Sequence, residues 1–186
     1  MKPLWGFYLR QCLNRLRRFH RGEEGSATIE FVIIFPVIFT FFLSTFELGM
    51  LETRHVMLDR GLDLAVRQIR LGQLEPVTQQ GFKRAVCNAA LIIPDCMNQI
   101  KLEMRRIDPF AWVAIPPTAD CVDRNDANVP AREFTPGVSN NLMLIRACAL
   151  FDPYFPTTGL GASLPRLSGG AYGLVSAASY VIEPKS

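Results

Sequence analysis

Residues 25–50 read GSATIEFVIIFPVIFTFFLSTFELGM, and this stretch decides the architecture. From 27 to 46 it supplies 20 residues with a single charge, Glu30. A helix needs about 20 apolar residues to cross the hydrocarbon core of a bilayer, so the length fits one crossing. Only STFELGM follows, without a small-x-small cleavage site, so a removable secretory signal does not fit and an anchor does. Working outward, residues 1–25 hold six basic residues (Lys2, Arg10, Arg15, Arg17, Arg18, Arg21) against Glu23 and Glu24, a net +4. Residues 26–186 hold 14 basic and 15 acidic residues, a net −1. The positive-inside rule then puts the N-terminus in the cytoplasm and everything after about Met50 outside. Because the basic excess belongs to a short leader, nothing in the rest points to nucleic acid. With 49% hydrophobic and 20% charged residues the chain is too apolar to be disordered, and the clustering argues against a freely soluble cytosolic enzyme.

Two residues sit oddly in a plain anchor. Glu30 stands at the cytoplasmic edge of the apolar run with no Lys or Arg in the segment to pair with it. A carboxylate there costs about 2.5–3.5 kcal/mol on insertion scales at a helix centre, and less near the interface. One explanation is an interfacial Glu reaching the headgroups, and the other is a partner that arrives later. Pro36 removes a backbone donor and is expected to kink the membrane helix.

The local pattern around Glu30 is specific. Gly25-Ser26-Ala27-Thr28-Ile29-Glu30-Phe31 follows a basic leader and opens directly into the apolar run. This resembles the processing site of type IVb (Flp/Tad) prepilins: glycine, four residues, then Glu followed by an aromatic residue. The resemblance implies a prepilin peptidase that cuts after Gly25, leaving Ser26 as the new N-terminus and Glu30 as the fifth residue. Among such chains, RRFHRGEEGSATIEFVIIFPVIFTFFLSTFELGM is similar to the N-terminal part of TadE-like pseudopilins, including Pro36 and the trailing Glu-Leu-Gly. A TadF-like sister of similar size stays open. The resemblance implies a minor pseudopilin that assembles or primes a Tad/Flp adhesive pilus. Its partners would be the prepilin peptidase, other Tad/Flp pilins and pseudopilins, and the lipid of a bacterial inner membrane, with the C-terminal domain periplasmic. A signal-anchored periplasmic enzyme or binding domain, uncleaved, is the competing reading.

Beyond the bilayer the helix is expected to continue. Leu48, Leu51, His55, Leu58, Leu62, Ala65 and Ile69 step by 3 and 4, a seam that packs on the domain's own sheet or on another helix. Gly72 suits a helix C-cap. A second helix is predicted from about Thr78, with Phe82, Ala85, Val86 and Ala89 on one face and Pro94 as its end. Ile100, Leu102 and Met104 alternate with Lys101, Glu103 and Arg105 as a half-buried strand. Residues 116–140 read as a long surface loop, 142–151 as a central strand apolar on both faces, 152–170 as a second loop, and 171–182 as a final strand. The fold class is therefore α+β: a long N-terminal transmembrane helix continuing into a small pilin-like domain with an antiparallel sheet. The divisions are a leader over 1–25, a transmembrane and extended amphipathic helix over 26–72, and an extracytoplasmic domain over 73–186.

Cys12 lies in the leader, whereas Cys87, Cys96, Cys121 and Cys148 all fall after the membrane, an even number in an oxidising compartment. No C-x-x-C pair occurs and His55 is remote, so disulfides outweigh a zinc site. Three pairings are possible. Cys87–Cys96 is favoured because a helix end and a strand start can meet across a Pro turn, leaving Cys121–Cys148. There is no GxSxG, Walker loop or HExxH, and His20 and His55 lie on opposite sides of the proposed membrane. Asp120, Asp123 and Asp126 lack the glycine and closing Glu of a calcium loop and read as solvated. No catalytic residue, metal or cofactor is expected, and the chain is read as a substrate of an enzyme rather than an enzyme.

Overall fold

The computed structural model describes residues 26–111, 113–126 and 129–184. Helix α1 spans Ser26–Arg70 and runs through Pro36 without interruption. The chain divides into two compact units, one up to Phe42 and one over Leu43–Ser186.

In the first unit every described side chain from 27 to 42 is exposed, and the hydrophobic ones form the surface. Phe31, Phe35 and Phe39 recur at every fourth position, so their rings stack along one helix face with centroids 5.1 and 5.5 Å apart. Pro36 has no N–H to give the preceding turn, and its own carbonyl accepts a 2.7 Å bond from the Thr40 hydroxyl.

In the second unit, the upper part of α1 belongs to the core. Leu58, Leu62, Ala65, Val66 and Ile69 are buried with Phe82 and Val86 of α2 (Gln79–Ala89) and the inner face of the sheet. The compact unit therefore begins at Leu43, while the sequence divisions opened the domain at residue 73. The seam packs into the chain's own core from Leu51 upward and is buried from Leu58. Below that level Leu48 is 48% exposed, and Glu47 and Arg54 take the inward positions instead. α1 ends as expected at Gly72, whose φ of +66° suits glycine. The Gly72 N–H bonds the Ile69 carbonyl at 3.0 Å and the Gln73 N–H bonds that of Gln68 at 2.9 Å, a Schellman cap.

The Thr78 hydroxyl caps α2 by accepting from the Gly81 N–H at 3.1 Å. α2 stops at Ala89, short of the Pro94 that the sequence suggested as its end. The chain reverses over residues 90–95, which brings Cys96 of the short helix α3 (Cys96–Gln99) within 5.7 Å Cα–Cα of Cys87.

Strands β1 (Ile100–Ile107), β2 (Leu142–Phe151) and β3 (Tyr172–Val181) form one antiparallel sheet in the order β1-β2-β3. A short helix α4 (Gly159–Ser163) lies in the β2–β3 connection. β2 is central and buried on both faces at its C-terminal end, as its sequence implied. β1 differs from expectation, because Lys101 and Glu103 are buried as well as Ile100, Leu102 and Met104. The segment following residue 116 is not merely a surface loop: it covers the outer face of β1 and β2. Charge makes this tolerable, since Lys101 Nζ lies 3.1 Å from Asp120 Oδ1 and Arg146 Nη2 lies 2.6 Å from Glu103 Oε2. The second contact is an ion pair without hydrogen-bond alignment.

Candidate functional site

The motif residues fall in two places. Gly25 and Cys12, with the whole leader, lie outside the described residues. Ser26 opens α1, and Glu30, Phe31 and Pro36 follow on its exposed apolar half. Glu30 opens onto a shallow groove lined by Ala27, Phe31, Ile34, Phe35 and Ile38. Among the described residues no cationic side chain lines that groove, and the carboxylate's neighbours there are apolar.

The sequence reading missed a second cluster, which lies at the foot of the domain. Glu47 is 1% exposed, and its carboxylate takes three backbone bonds: from the Tyr154 N–H at 3.1 and 2.9 Å and from the Phe155 N–H at 3.1 Å. Arg54, seven residues on and so about two turns above on the same face, is 6% exposed. Its guanidinium stands 4.9 Å over the Phe151 ring and 4.7 Å over the Tyr154 ring. Nη1 donates to the Tyr172 hydroxyl at 2.9 Å and to the Asp152 carbonyl at 3.4 Å. Burial pushes the Tyr172 hydroxyl above its ordinary pKa, and the Arg54 charge and bond pull the other way. Phe46 completes the cluster edge-on to Tyr154 and Phe155, at 5.8 and 6.0 Å. The end of β2 and the connection after it present two backbone N–H groups and two aromatic rings to α1, so the helix face at that height carries an acceptor and a cation. The signal was present in sequence as a spacing of seven between Glu47 and Arg54 in phase with Leu58 and Leu62. What this arrangement does chemically is hold, since neither group is open to a substrate.

The four cysteines form Cys87–Cys96 and Cys121–Cys148. The first joins α2 to the short helix α3 that leads into β1. The second pins the covering segment onto β2, where Cys148 is fully buried with Leu150 and Ala171. Asp120 is occupied by Lys101 and by the Arg132 N–H, and Asp123 accepts from the Asn125 N–H at 2.9 Å.

These features define a class: an α+β domain whose N-terminal helix is long and apolar enough to cross a membrane at one end and completes the domain core at the other. Residues 25–67 match the TadE-like protein family, the family that the glycine-to-glutamate motif resembles. The match covers the exposed apolar half of α1 together with most of its core half. Comparison with curated proteins and with solved structures gives no match.

Proposed function

We propose that the chain is a minor pseudopilin that assembles or primes a Tad/Flp adhesive pilus, matured by a prepilin peptidase that cuts after Gly25. The observation that carries this reading is the TadE-like match beginning at residue 25, with Glu30 in register behind it. The chain sits as a single-pass protein of a bacterial inner membrane, leader in the cytoplasm and domain in the periplasm. It acts as an assembly component and a peptidase substrate, not as an enzyme.

The physical role of processing follows from charge. Cutting after Gly25 removes the basic leader and creates an α-amino group four residues from Glu30. A lone carboxylate or ammonium is expensive to bury in hydrocarbon, whereas a close, hydrogen-bonded pair is tolerable. Glu30 of one subunit and the new amine of a neighbouring pilin or pseudopilin can therefore pay for each other's burial, which couples processing to association.

Sequencing the mature N-terminus from membranes tests the reading. Ser26 is expected, and Met1 in cells with an active prepilin peptidase refutes it in favour of an uncleaved anchor. Glu30→Ala should insert normally yet impair processing or co-purification with pilus components. Normal processing, co-purification and piliation together in that variant would leave Glu30 as an interfacial residue without a partner.

A further inference from the structure

The two edges of the sheet are finished differently. At the β1 edge, Met104 donates its N–H to the Glu133 carbonyl at 3.0 Å and accepts from the Thr135 N–H at 2.9 Å. This makes a parallel bridge to Phe134, secured by an Arg105–Glu133 ion pair. At the β3 edge, no strand or bridge occupies the outer side among the described residues. Ile182 bonds Asn140 and Asn141 on the β2 side, so by antiparallel alternation Gly173, Val175, Ala177, Ser179 and Val181 turn N–H and C=O outward. Among the described residues, only the Val175 carbonyl of these groups is met, by the His55 Nε2 of α1 at 3.3 Å. The strand YGLVSAASYV has no charge, no proline and no bulge in its register, the devices by which exposed edges repel other strands. Val175 is 44% and Val181 50% exposed, with Ala177 and Ser179 also exposed between them.

We propose that the outer edge of β3 receives an extended segment of a different polypeptide, added antiparallel to it. The choice of a different chain comes from direction, and it rests on the membrane-anchored reading above. β3 runs the same way as α1, since Tyr172 meets Arg54, Val175 meets His55 and Glu183 pairs with Arg70 at 2.8 Å. Antiparallel pairing of two β3 strands would put the Leu43 ends of two copies at opposite ends of the dimer. Copies anchored in one bilayer enter their domains from the same side. A two-fold axis along parallel β3 strands fails for another reason. It sets the outward residues of both strands level, whereas a parallel ladder needs them to alternate. Joining β3 to the β1 edge of another copy is closed by residues 133–135. What fits is a foreign segment of at least seven residues, uncharged where it lies beside Val175, Ala177, Ser179 and Val181.

A benzophenone amino acid placed at Val175 or at Ser179 of the full chain, in its native cells, tests this. Both probes should label one segment of one other identified polypeptide. The Ser179 adduct should lie about four residues N-terminal to the Val175 adduct, the reversed order of an antiparallel pair. Ala177→Lys should lower both yields by tenfold or more, while the same probe at Glu52 stays unaffected. Ala177→Pro should do likewise, because it removes an outward N–H and leaves the β2 ladder intact. Intact disulfides by non-reducing mass analysis establish that each variant folds, and the lysine variant decides if the proline variant does not. Adducts only to a second copy, adducts in parallel order, insensitivity to Ala177→Lys, or no adduct would overturn the proposal. Fractionating the same cells separates the two readings. Self-adducts from a membrane-bound chain defeat this inference alone, and self-adducts from a soluble chain defeat the anchor as well.

Discussion

Glu47 is the residue on which the foot of the domain depends most directly. Its carboxylate is the acceptor for the Tyr154 and Phe155 N–H groups, and at 1% exposure no water replaces it. Glu47→Ala leaves those buried donors unpaired, which should destabilise the domain by about 1–3 kcal/mol in denaturant melts. An unchanged midpoint would mean that the connection after β2 finds other partners. Tyr180 is the opposite case, a buried hydroxyl with no hydrogen-bond partner among the described residues. Burial pushes it up to about 12, against about 10 in an unfolded chain. The folded state thus holds this proton more tightly than the unfolded state does. Its contribution is complete below about pH 10 and is lost as pH rises from about 10 towards 12. Tyr180→Phe should be neutral or stabilising near pH 8 and should flatten the alkaline loss, since the orphan hydroxyl is gone. Parallel loss of stability in both proteins above pH 10 would assign that loss to other groups, Tyr172 first.

Among the elements, α1 carries two tasks on one helix, and its contact with α2 shows how closely the second is fitted. A Cβ at Gly61 would lie 2.8 Å from the Val86 carbonyl oxygen and 2.9 Å from the Ala90 Cβ. Neither atom is the end of a flexible chain, so Gly61→Ala must push the two helices apart. Overpacking of this kind costs about 1–3 kcal/mol. A melt that instead rises, as helix propensity alone would give, would show that α1 and α2 can separate freely. The elements differ in how well the sequence announced them. α1, α2 and β2 were legible because each carries a period or an unbroken apolar run, and Gly72 and Thr78 mark ends by their chemistry. The burial of both faces of β1 was not legible. Lys101 and Glu103 look like solvent-facing residues until Asp120 and Arg146, distant in sequence, arrive to pair with them. The lower seam failed for a related reason. Apolar periodicity selects Leu48, whereas the loop after β2 presents backbone donors and rings that call for Glu47 and Arg54. The glycine-to-glutamate pattern of residues 25–31 is a local feature of the sequence, whereas the clamp at the foot of the domain needs tertiary contacts to be seen.

For the whole molecule, the position of the boundary between anchor and domain has a measurable consequence. The compact unit starts at Leu43, and the core residues of α1 sit fifteen or more residues beyond that point. Leu58, Leu62, Val66 and Ile69 each contribute about 1.5–3 kcal/mol by burial. Together that is comparable to the roughly 5–15 kcal/mol by which a whole domain is stable. A periplasmically exported fragment over 43–186 should therefore fold with both disulfides and unfold cooperatively. A fragment over 58–186 keeps the apolar seam but loses Glu47 and Arg54, so it should unfold at lower denaturant with the segment after β2 exposed to protease. A fragment over 73–186 loses the seam as well, and the two disulfides, worth about 2–4 kcal/mol each, do not replace the missing core. It should show no cooperative transition. If 73–186 instead melts like 43–186, α1 lies on the domain without supporting it. The helix would then be a detachable tether, and contacts at its exposed end would have no route through the core to the sheet.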